Sequence, residues 1–213
     1  MEGDAFVFWS SRKSFRLFYY VSSLLPVYLF MLIFMIIIKI ENQKAFLYHE
    51  KLYKIIFGLF IFCIFASVYC LLKTKSIIKR TTHFSKTYGT TKVILSDNYN
   101  IGFREFILSF ILPLISTFSI DEYPIATISM IFLFQLLMYI FFISSSDFFP
   151  NIPLVLLGFS VFEVKTTNSE NSKLKYVFGK TKNIAEIMKD DKSYEVVEIG
   201  EPNYFNNIGV ICE

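Results

Sequence analysis

"FFPNIPLVLLGFSVFEVKTTNSE", residues 148–170, decides how the chain is laid out. It begins as apolar text broken by Pro150, Pro153 and Gly158. From Phe159 it alternates like a strand, with Val161, Glu163 and Lys165 set against Phe162 and Val164. A further membrane helix fails here on length. Residues 152–162 fall well short of the ~20 residues needed to cross a bilayer, and prolines and a glycine lie within or beside them. The stretch therefore reads as an exit. Pro150 and Pro153 end the preceding helix at the membrane surface, residues 147–158 leave the lipid, and a water-facing module occupies 159–213.

Upstream of that exit the text is that of a membrane protein. Of 213 residues 54% are hydrophobic, above the roughly 45–50% of a soluble domain. They are gathered into long blocks almost free of charge. Four blocks are candidate spans: 17–38, 55–72, 103–120 and 125–143. The third is the most polar, opened by Arg104 and Glu105, interrupted by Pro113 and diluted by Ser109, Ser116 and Thr117. Only "DEYP" separates it from the fourth, so the two form a tight hairpin. The first follows a short N-terminal segment, 1–16, and reads as an uncleaved anchor. Its apolar run exceeds the ~7–15 residues of a signal peptide and lacks a small-residue cleavage site.

Orientation follows from Lys and Arg. The N-terminal segment carries three, the segment 73–104 seven and the tail seven, against four in the first connection and none in the third. Both termini and the basic loop 73–102 are thereby expected in the cytoplasm. The fold class expected is a four-helix transmembrane bundle carrying a small, mostly β cytoplasmic domain. In that domain "KLKYVFGK" pairs with the first strand, "KNIAEIMKD" is a short helix, "SYEVVEIG" a third strand and "NIGVICE" a fourth.

Composition also excludes chemistry. No P-loop, dinucleotide fingerprint, serine elbow or HExxH motif occurs, and His49 and His83 fall in loops expected on opposite sides of the membrane. Cys63, Cys70 and Cys212 form no disulfide framework or zinc spacing. Nothing calls for a cofactor. The tail holds seven Lys against nine Asp and Glu, so it lacks the basic face of a nucleic-acid binder. The chain reads as a non-enzyme.

A few residues stand out against this background. Gln135, at the middle of the fourth span, serves either as an interhelical hydrogen bond or as part of a polar ring with Ser116, Thr117 and Ser129 in an oligomer or pore. Lys73, Lys75, Lys79 and Arg80 form "KTKSIIKR" after the second span. They either mark topology alone or touch anionic lipid or a partner. Pro26 and Pro113 share the contexts "SSLLP" and "SFILP" and kink their spans at similar depth, by chance or as a faint repeat of two hairpins.

The whole layout resembles a known family. A short third helix "EFILSFILPLIS", followed by "NIPLVLLGFSVFEV" passing into a small β tail, is similar to KwaA, the membrane subunit of the bacterial Kiwa anti-phage system. That resemblance implies an inner-membrane homo-oligomer, a tetramer in the family, that responds to phage attack. It also implies a cytosolic partner, KwaB, which binds DNA and blocks phage replication. No catalytic residue is carried over. The expected role is a sensor and scaffold, and the competing role is a small oligomeric channel or membrane-disrupting effector.

Overall fold

The computed structural model describes residues 12–41, 50–83, 90–100, 124–144, 150–167, 174–184, 193–199 and 208–212. Five helices and five strands are described: α1 (Arg12–Ser23), α2 (Leu25–Glu41), α3 (Glu50–His83), β1 (Thr91–Tyr99), α4 (Pro124–Ser144), α5 (Ile152–Leu156), β2 (Phe159–Thr167), β3 (Tyr176–Lys180), β4 (Ser193–Glu198) and β5 (Ile208–Ile211). A short 3-10 turn, Thr181–Asn183, follows β3.

The stretch expected as the first span is divided at Leu24 into α1 and α2. The chain turns at Leu24, whose N–H reaches back three residues to the Val21 carbonyl at 3.3 Å. Pro26 has no N–H to give to residue 22, so the regular ladder cannot continue through this point. The side chains of Ser22 and Ser23 compete for the same backbone, donating to the carbonyls of Tyr19 at 2.8 Å and Tyr20 at 2.6 Å. The break thus falls two residues before the proline.

Among the described residues two stretches are long and apolar enough to cross a membrane by length and composition, Ser14–Ile37 and Glu50–Thr82. Ile125–Ile140, within α4, is a shorter apolar stretch. The expected third span, with Pro113, Ser116 and Thr117, lies outside the described residues. Helices α1 and α2 run antiparallel to α4. Tyr20 stacks within 5.8 Å of Phe142 and 5.2 Å of Tyr139, and Tyr28 meets Gln135 further along. Toward the outside these helices expose Ile33, Phe62, Phe65, Leu133 and Ile140, large apolar side chains that a soluble protein would cover.

The region 73–102, expected as a basic loop, is mostly regular structure. Residues 73–83 continue α3, giving it 34 residues, about 51 Å at 1.5 Å per residue. Leu71, Thr74, Ile77, Ile78 and Thr81 are buried at helical spacing, and that stripe keeps the helix going past the apolar block. Residues 91–99 are a strand, β1, in which Val93 turns inward while Lys92 is exposed.

The expected module 159–213 is therefore incomplete by itself. The sheet closes as a barrel in the order β1-β2-β3-β5-β4, antiparallel throughout except for β3 with β5. This is the Greek-key order of five-stranded OB-type barrels. Its first strand is contributed from the end of α3, and its second arrives only after α4 and α5. The β2–β3 hairpin stands as the alternation indicates, pairing Phe159 with Lys180 through Glu163 with Tyr176. Of the expected short helix, only the 3-10 turn and Ile184 fall within the described residues.

The barrel has two apolar surfaces. Inside, Val93, Leu174, Val177 and Val196 pack with Leu95, Val164 and Ile211. Outside, Phe159, Phe178, Ile208 and Val210 join the helical core. Phe178 stands edge-on to Phe15 at 5.8 Å and lies 5.9 Å from Tyr19. The barrel is thus seated on the end of the bundle where α1 begins and α3 ends. At Gly209 a Cβ would collide with Val196 and would meet Leu174 at 3.0 Å, so β5 can pass the closed wall only as glycine.

Candidate functional site

The joint between bundle and barrel is where the described residues concentrate buried polar structure. Its centre is Asn151, 1% exposed. The Asn151 amide donates to the Tyr19 carbonyl at 3.0 Å and to Ser22 Oγ at 2.7 Å. Its Oδ1 accepts from the Leu154 N–H at 3.0 Å and so caps α5. One side chain therefore ties the end of α1 to the start of the helix that leads into β2. Sequence reasoning missed it. The signal was present in "NIP", an asparagine followed two residues later by a proline in the first turn of a helix.

Gly158 makes the next turn. Its φ is +90°, a conformation open to glycine, and its N–H returns to the Val155 carbonyl at 2.9 Å. The Gly158 carbonyl accepts from Thr181 N–H at 2.9 Å, fastening the start of β2 to the end of β3. Ser160 Oγ shares a hydrogen bond with Thr181 Oγ1 at 3.0 Å and accepts from Asn100 Nδ2 at 3.2 Å. Asn100, at φ 49°, follows β1, and its Oδ1 accepts from Val161 N–H at 3.0 Å. Polar side chains thus tie both entrances of the barrel to each other.

Above the joint, Arg16 is buried with its guanidinium 5.8 Å from the Phe142 ring. Gln135 is buried as well and is turned into its own bundle. Its Oε1 accepts from Tyr28 Oη at 2.8 Å, and its main-chain oxygen accepts from Tyr20 Oη at 2.6 Å. Its Nε2 and the Oγ of Ser67 are buried without a hydrogen-bond partner. Ser129 is exposed on α4 and does not share the Gln135 environment. Pro26 lies in the first turn of α2, beside the break.

The basic residues are helical. Lys73 and Lys75 are half-buried, Lys79 and Arg80 exposed, and Lys73 Nζ sits 5.5 Å from the Tyr69 ring centre. Cys63 and Cys70 are half-buried free thiols. Among the described residues no group of His, Cys, Asp and Glu could hold a metal. Tyr19 is thus joined to Asn151 by a hydrogen bond and to Phe178 by a ring contact, linking α1 to the exit helix and to the barrel.

The family model of anti-phage protein KwaA matches residues 15–205, from α1 to beyond β4. No curated protein and no solved structure matches the chain. The match takes in the helices, the joint and four of the five strands, and on that extent the chain belongs to the anti-phage KwaA family.

Proposed function

We propose that this chain is the membrane-embedded, non-catalytic subunit of an anti-phage system, reporting membrane disturbance to a cytosolic partner through its barrel. The observation that carries the reading is the seating of the barrel. It rests on the basic end of the bundle, where α1 starts with Arg12, Lys13 and Arg16 and α3 ends with Lys73, Lys75, Lys79 and Arg80. Basic ends face the cytoplasm. The exposed apolar sides of α2, α3 and α4 supply the lipid-facing surface of an inner-membrane, multi-pass protein with both termini inside. Copies assemble as a homo-oligomer, a tetramer by family resemblance.

The partner is a KwaB-like DNA-binding protein, and its landing place is the barrel wall that the helices leave uncovered. That wall carries Lys92, Glu195 and Lys165, all exposed. Two experiments test the reading. In a background without Cys63, Cys70 and Cys212, Lys165→Cys should resist a membrane-impermeant thiol reagent in intact cells, whereas Lys51→Cys should react. Reaction at Lys165→Cys would overturn the orientation. The partner should co-purify with the wild-type chain from detergent and be lost with Lys92→Glu and Lys165→Glu. Dye uptake by cells making this chain alone would instead favour a channel or membrane-disrupting effector.

A further inference from the structure

We propose that the outward face of the last three turns of α3 is a binding site for the headgroups of anionic phospholipids. This inference rests on the membrane-spanning reading above and adds a ligand class and four residues to it.

At 3.6 residues per turn, the stretch 71–81 sorts cleanly into two faces. Leu71, Thr74, Ile77, Ile78 and Thr81 are all buried, and α3 has α1 as its main neighbour here, with β4 and β5 beside it. Lys79 and Arg80 are exposed on the other side, and Lys73 and Lys75 flank them half-buried. Along the chain no Asp or Glu occurs from residue 51 to residue 96, so the sequence of this helix end is purely basic.

The same outward face changes character at one level. Phe62, Phe65, Tyr69 and Leu72 are exposed and apolar or aromatic, and the next outward residue is Lys73. Ile55 to Leu72 covers ~27 Å, close to the ~30 Å hydrocarbon thickness. The residues beyond Leu72 therefore pass through the headgroup layer while the helix is still regular. Tyr69, with the Lys73 ammonium 5.5 Å from its ring, stands at that boundary, where aromatic residues anchor spans. A topology signal needs only cations somewhere in the loop. Here a regular helix, held by α1 and the barrel behind it, presents them in two rows from the headgroup level outward.

The test uses the full chain in a neutral detergent, titrated with phosphatidylglycerol and separately with phosphatidylcholine. Wild type should prefer phosphatidylglycerol. K75Q and K79Q should each weaken that binding about fivefold, in line with the attraction expected per surface cation. Lys51→Gln, at the opposite end of α3, should leave it unchanged. Equal loss from Lys51→Gln, or no preference between the two lipids, would overturn the proposal. Thiol labelling in intact cells separates the two readings. Normal insertion without lipid preference sinks this inference alone, whereas failure to insert sinks the spanning reading with it.

Discussion

Asn151 and Tyr19, 132 positions apart, are joined by a 3.0 Å hydrogen bond from the asparagine amide to the tyrosine main-chain oxygen. The bond ties the last turns of α1 to the cap of α5, and the Tyr19 oxygen accepts from Ser22 Oγ as well. Asn151→Ala should lower stability by about 1–3 kcal/mol, the cost of leaving buried polar groups unsatisfied. Asn151→Asp should be worse, since a buried carboxylate would face the Tyr19 carbonyl. Thermal unfolding in detergent measures both, and a milder Asp variant would show that the amide donor is unimportant.

Gly158 offers a cleaner backbone test. An added Cβ there meets nothing within 4 Å, so only the φ of +90° opposes it. Gly158→Ala should cost about 1–2 kcal/mol. The same loss in a larger residue such as Gly158→Leu would confirm that strain, and not crowding, sets the effect. A much larger loss for Leu would refute it.

The buried pair of Tyr28 and Gln135 calls for a double-mutant cycle. Tyr28→Phe and Gln135→Leu should couple by ~0.6 and at most ~1.7 kcal/mol, the range for such bonds inside membranes. Because Gln135 Nε2 has no partner, the double variant should be near wild type in stability. A severe loss in the double variant would mean that the amide serves something beyond Tyr28.

Gly209 tests the barrel wall. Gly209→Val should abolish cooperative folding of the barrel, because Val196, Leu174 and the Val197 carbonyl already surround that position. Circular dichroism and protease resistance of the purified chain would show it, and a barrel that keeps its resistance would contradict the packing.

The discontinuity of the barrel makes a further prediction. A fragment of residues 159–213 lacks β1, which pairs with both β2 and β4. It should be unstructured in water, and adding residues 90–100 through a flexible linker should restore at least partial folding. A well-folded 159–213 fragment would show that β1 is dispensable.

Much of this architecture was legible from residue order alone. Apolar helical blocks and the alternation from Phe159 each depend on neighbours a few positions apart, and such local signals dictate element type. The asymmetry of Lys and Arg likewise sets an expected orientation without any contact. Gln135 could be singled out because an amide in apolar text stands out by itself.

The tertiary structure decided what depends on distant partners. The strand at 91–99 lies in text that reads as a basic loop, and it becomes a strand because β2 and β4 offer it edges from far along the chain. The end of α3 continues because its buried stripe finds α1 and the barrel. Asn151 matters because the Tyr19 carbonyl, 132 residues earlier, comes within reach of its amide. Pairing of this kind is written in geometry, since a hydrogen-bond donor or an apolar stripe is neutral in sequence until another segment arrives to meet it.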